Sequence, residues 1–201
     1  MTRPILFNTE MVLAILDGRK TVTRRLVKFP KHIKQEENGL YTLYAEGTCY
    51  ENQRFEQIKD YMKSPYSPGD ILWVRETWSE WEGGYIYKAW NGPFAQPGAF
   101  AEGKGKWKPS IHMPKEAARI FLKVTDVRVE RLQDITEEQA IAEGVYVSED
   151  DLECLYDHVS EFAQYVWEST IKKSDMDTYG WDANPLVWVI EFEDYEKTIT
   201  E

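Results

Sequence analysis

Eight consecutive residues, Gly18-Arg19-Lys20-Thr21-Val22-Thr23-Arg24-Arg25, gather one amine, two hydroxyls and three guanidinium groups. A hydroxyl nucleophile needs a base beside it and donors for the negative charge that develops during attack. The segment Lys20-Thr21-Val22-Thr23-Arg24 offers those three types within a single turn of chain. A lysine close to other cations, or in a desolvated pocket, has a lowered pKa and can serve as that base. Arg19, Thr21 and Arg24 are further candidate contacts for an anionic or polar ligand. The same composition also suits a solvated basic loop, so the chemistry depends on geometry. In a regular strand Lys20 and Thr23 point to opposite faces. They converge only where the chain turns or bulges.

Other candidates lie further along. Leu72, Val74, Glu76 and Trp78 share one face of the segment Ile71–Trp78. A carboxylate among apolar side chains is costly to bury unpaired, so Glu76 is either an ion-pair residue, with Lys20 or Arg24 as partner, or part of a site. Trp78 offers a face for base stacking, although many of the eight tryptophans must belong to the core. His112 stands alone between prolines, which equally suits a turn residue satisfied by backbone. His32, His112 and His158 share no metal-ligand spacing. Cys49 and Cys154 lack a CxxC partner. No metal or cofactor is expected, and the cysteine usage fits a reducing cytoplasm.

The elements that must position these residues are partly legible. Thr9 is placed to cap a helix over Glu10–Asp17, with Gly18 as its left-handed stop. Lys20–Arg25 should then leave as an extended segment. Pro68-Gly69-Asp70 turns into a strand at Ile71–Trp78, followed across Gly83-Gly84 by Tyr85–Ala89. In the long strand Arg119–Leu132 the apolar phase slips between Val124 and Val127, which predicts a β-bulge near Thr125-Asp126. Thr136 caps a helix ended by Gly144, a second helix lies within Asp150–Ser169, and Pro185–Phe192 is a central strand. Residues 28–68 read as a basic loop, a strand at Leu40–Tyr44 and a polar stretch. The class is α+β: a curved, mixed, partly closed sheet with short helices over its openings.

With 201 residues, 42% of them apolar, the chain can bury a core as one domain. Its net charge of −11 opposes non-specific phosphate binding. The charge is uneven: residues 1–34 carry a balance of +6, 104–123 of +5, and 130–168 of −11. Two basic segments meeting in space would form a positive cleft on an acidic body. The run Ile5–Leu16 is too short and polar to cross a membrane.

Several motifs occur in order: Gly18-Arg19-Lys20-Thr21-x-Thr23-x-Arg25, Pro68-Gly69-Asp70, Val74-Arg75-Glu76-Thr77-Trp78, Pro109-Ser110-Ile111-His112-Met113-Pro114, Val127 through Ile135, and Asn184-Pro185-Leu186-Val187-Trp188. Together they resemble an ASCH domain of the PUA-like superfamily, in its larger phage- and prophage-encoded branch. The resemblance implies one PUA-like domain over 1–201, with insertions at about 28–64 and 91–108. It implies a small barrel with a cleft for RNA or nucleotide-like ligands. Compact bacterial members of the family remove the acetyl group of N4-acetylcytidine with a lysine, a threonine and a glutamate. Those residues fall on Lys20, Thr23 and Glu143, with Arg19, Thr21, Arg24, Glu76, Trp78, Ser110 and His112 as candidate ligand contacts. Other relatives are associated with ribonuclease activity. This chain departs from the compact enzymes in its insertions and in Arg24 after Thr23. Three readings follow: a hydrolase of a modified nucleoside, a non-catalytic module for short RNA, and an interaction protein whose acidic helices recruit a basic partner.

Overall fold

A computed structural model of the chain describes residues 1–30, 33–58, 61–81, 83–89, 106–145 and 157–195. Its main sheet has five strands, β1 (Thr2–Leu6), β2 (Val22–Leu26), β6 (Ile71–Arg75), β9 (Phe121–Arg131) and β10 (Leu186–Asp194), in the order β1-β6-β9-β10-β2. β1 runs parallel to β6, and every other pairing is antiparallel. Helix α1 (Thr9–Leu16) links the two edge strands, β1 and β2. Ile5 of β1, Val12 and Ile15 of α1, Leu72, Leu122 and Ile190 form one buried cluster. Helix α1 therefore packs against β1, β6, β9 and β10 on one face of the sheet.

On the other face, Val22, Val187 and Val189 pack against Leu132, Ala140, Phe162 and Trp167. Ala140 belongs to helix α3 (Glu137–Ala142). Phe162 and Trp167 lie on a π-helical run, Phe162–Trp167, that continues helix α4 (His158–Glu161). A third cluster joins Leu186 to a separate three-stranded sheet of β3 (Ile33–Gln35), β4 (Tyr41–Ala45) and β5 (Thr48–Gln53), followed by the short helix α2 (Phe55–Ile58).

The expected bulge is present. Glu191 pairs with Asp126 while Phe192 pairs with Val124, so Thr125 is the extra residue on β9. Two expectations are corrected. Asn8, not Thr9, caps α1: its side chain accepts from the Met11 N–H at 2.8 Å. The segment Ile71–Trp78 is two strands rather than one, because β6 ends at Arg75 and Trp78–Trp81 (β7) pairs with Gly84–Tyr87 (β8) as a separate ribbon. The break falls where Glu76 turns into the interior and its N–H meets the Met113 sulfur at 3.2 Å. Strands β1 and β5 had no clear alternation to announce them. Pro4 is tolerated in β1 because that strand is an edge. Residues 91–105 of the second expected insertion, and the start of the helix expected within Asp150–Ser169, lie outside the described residues.

Candidate functional site

The site begins at the end of α1. Gly18 takes a left-handed φ of 72°, and the N–H groups of Arg19 and Lys20 both return to the Ala14 carbonyl. Thr21 N–H reaches the Ala142 carbonyl at 2.9 Å, tying this turn to the end of α3. Lys20 is therefore placed before the regular strand begins. The alternation that would have separated it from Thr23 does not yet apply. Its side chain folds back along β2, and Nζ donates to the Val22 carbonyl at 2.8 Å, the Glu143 carbonyl at 2.6 Å and Glu143 Oε2 at 2.7 Å.

Glu143 is the C-cap of α3, so its carbonyl is one of the acceptors that a helix end leaves open. Gly144 follows with φ of 95°, and its α-carbon passes so close to α1 that an added Cβ would meet Ala14 Cβ at 2.9 Å and Lys20 Cβ at 3.3 Å. The other Glu143 oxygen accepts from Arg24 Nη1 at 3.2 Å. Arg24 Nη2 donates to Gln139 Oε1 at 2.7 Å and to Glu130 Oε2 at 3.4 Å. Lys20, Arg24 and Glu143 are each at least 97% removed from solvent. Removing one member of such a group costs about 3–5 kcal/mol, because the remaining charge is left buried and uncompensated.

Thr23 is buried as well, and its hydroxyl makes no hydrogen bond to another described residue. A cavity of about 130 Å³ opens at the edge of β2, bounded by Lys20, Thr23, Arg24, Arg25 and Glu143. Phe7, Met11, Phe162 and Trp167 form its apolar wall. Because the cavity lies at a strand edge, side chains from both faces of β2 reach it. Burial pushes the Lys20 amine below the ordinary lysine range; Glu143 opposes the shift, and the Arg25 and Arg24 charges add to it. At rest, all three N–H directions of an ammonium point at acceptors. A base role therefore requires Lys20 to give up one of those protons.

The other sequence candidates are not brought together with this group. Arg19 binds the Gly144 carbonyl and Asp17, both at 3.2 Å, on the outer side of the turn. Thr21 is exposed and contributes backbone contacts. Glu76 is fully buried, but its partner is Arg119, through two bonds of 2.9 Å, and not Lys20 or Arg24 as expected. Trp78 is buried among Met113 and Ala117, with Lys108 Nζ 4.6 Å from its ring centre. Ser110 and His112 form a 3-10 turn. None of these six lines the cavity. Sequence reasoning gave Arg25 no role of its own and missed Gln139. The Thr23-x-Arg25 spacing, which puts both on one strand face, and the Thr136-x-x-Gln139 capping box were the available signals. Among the described residues no group of His, Cys, Asp and Glu could hold a metal ion, and no helix is long and apolar enough to cross a membrane.

No family model matches the sequence, and no curated protein matches it. Two solved structures are similar. One is the hypothetical protein PH0355, with a TM-score of 0.41 and 15% identity over 97% of this chain and 100% of that one. The other is an ASCH domain from Lactobacillus crispatus JV V101, with a TM-score of 0.37 and 14% identity over 96% of this chain and 79% of that one.

Proposed function

We propose that the protein hydrolyses the amide of an acylated nucleoside such as N4-acetylcytidine, with Thr23 as nucleophile, Lys20 as base and Glu143 as the residue that orients Lys20. The observation that carries this reading is the placement of a buried threonine hydroxyl on the same small cavity as a buried lysine–glutamate pair. Lys20 first passes one proton to Glu143 Oε2 across 2.7 Å. The neutral amine then takes the Thr23 proton as the oxygen attacks the acyl carbon. The Nε of Arg24 is buried with no hydrogen-bond partner among the described residues, and it supplies a donor for the resulting oxyanion. Collapse expels the amine with the proton held by Lys20. Water then cleaves the threonine ester, releasing the acid and restoring the hydroxyl.

A cavity of about 130 Å³ is small beside the ~300–1,000 Å³ of pockets that enclose whole ligands. It suits the reacting acyl group, with the rest of the substrate outside the mouth. The phage-type branch and a cytoplasmic location belong to the same proposal. The test is mass spectrometry of nucleosides after incubation with the folded protein. N4-acetylcytidine is expected to convert to cytidine, Thr23→Ala to abolish conversion, and Lys20→Met to lower it by about 10²–10⁴. Undiminished conversion by both variants would remove these residues from the mechanism.

A further inference from the structure

Pairing the charges around the cavity leaves one guanidinium over. Lys20 is held by Glu143 at 2.7 Å, and Arg24 by Glu143 and Glu130 at 3.2 and 3.4 Å. Arg25 borders the same space, and among the described residues no carboxylate lies within ion-pair distance of it. Among the described residues it makes one hydrogen bond, from Nη2 to the Leu6 carbonyl at 2.9 Å. A guanidinium carries five N–H donors in a fixed planar fork. Its carbon also sits 5.3 Å from the centre of the Phe7 ring, which Lys20 Nζ approaches to 5.6 Å. A backbone carbonyl and an aromatic ring thus orient the side chain, Glu143 acts on its charge only from beyond ion-pair distance, and among the described residues most of its donors stay uncommitted.

Strand geometry links Arg25 to the nucleophile. Thr23 and Arg25 pair with Ile190 and Trp188 of β10 and share one side of β2. At a rise of ~3.3 Å per residue their α-carbons stand about 7 Å apart. We propose that Arg25 is a specificity-determining residue that binds an oxyanion, phosphate or carboxylate, carried by the substrate whose amide Thr23 attacks. This deepens the hydrolase reading of the cavity and rests on it for the amide. A phosphorylated acylnucleotide is then preferred to the neutral nucleoside, and a small acyl amide bearing a carboxylate presents the same chemistry. Since no carboxylate among the described residues lies within ion-pair distance of Arg25, Arg25→Gln is expected to leave the melting temperature unchanged or raised.

Calorimetric titration at low salt tests the assignment with cytidine, cytidine 5′-monophosphate, acetate and inorganic phosphate, on wild type, Arg25→Gln and Arg25→Lys. The monophosphate is expected to bind about tenfold or more tightly than cytidine, as a charge-assisted hydrogen bond provides. That preference should vanish in Arg25→Gln and survive in part in Arg25→Lys, which keeps the charge without the fork. Acetate binding more tightly than phosphate identifies the carboxylate arm, and the reverse order the phosphate arm. Should Arg25→Gln fail to fold, Arg25→Lys carries the comparison. The assignment is overturned if no oxyanion binds wild type more tightly than it binds the variants. Arg25-dependent oxyanion binding without hydrolysis of N4-acetylcytidine or its 5′-phosphate would sink the hydrolase reading alone. Hydrolysis with affinities indifferent to Arg25 would sink this one alone.

Discussion

Lys20 is the residue on which the chemistry turns, and two physical effects pull its proton in opposite directions. Three acceptors within 2.8 Å of Nζ hold the ammonium in place, while burial destabilises its charge. Because burial wins, the native state releases the proton more readily than the unfolded chain, whose lysine titrates near 10.5. Below the native value both states are protonated, and folding carries the full cost of the buried charge. Between the native value and 10.5 the unfolded chain binds the extra proton, so stability rises with pH. Urea unfolding should therefore show wild type gaining on Lys20→Met through that window, with a limiting slope of about 1.4 kcal/mol per pH unit. A difference that stays constant with pH would mean that Lys20 keeps an ordinary affinity for its proton.

At the scale of elements, the site depends on how closely the end of α3 approaches the end of α1. Gly144 makes that approach possible through its left-handed φ and its missing Cβ. In Gly144→Ala the new methyl would press on Ala14 and Lys20, and the backbone would be strained in addition. The expected outcome is a loss of at least about 1–2 kcal/mol of stability. Turnover should fall further than that loss explains, because Lys20 is displaced from Glu143. A variant with wild-type stability and rate would show that the contact is not needed. Much of this level was legible in the chain: the Gly18 stop, the Thr136 capping box and the Thr125 bulge all follow from neighbouring residues. The break between β6 and β7 was not, because it depends on Glu76 finding Arg119 at a separation of 43 residues.

The whole molecule combines a net charge of −11 with a cluster of cations at one strand edge. Of the cavity cations, Arg25 alone has no carboxylate within ion-pair distance among the described residues, so few charges there remain to track a polynucleotide backbone. Single-stranded RNA should bind weakly, with a log affinity–log salt slope shallower than about −2, since each neutralised phosphate contributes ~−0.7. Fluorescence anisotropy across a salt series measures this. A steep slope would favour the RNA-binding module over the small-substrate enzyme. The acidic residues Asp150, Asp151 and Glu153, on which a partner-recruiting reading relied, lie outside the described residues.

The sequence by itself determined where the chain turns, caps and bulges, and it put an amine and two hydroxyls within one turn of chain; family resemblance then singled out Lys20 and Thr23. Those are local properties, set by glycine freedom, capping side chains and apolar phase within a few residues. Only the tertiary structure decided which charges meet. Lys20 finds Glu143 across 123 residues, a partner that sequence reached through family resemblance alone, and Glu76 goes to Arg119 instead of the basic turn. Strand order and the position of β2 at the sheet edge fix those encounters. The same placement lets both faces of β2 reach one cavity and leaves Arg25, among the described residues, without an ion-pair partner.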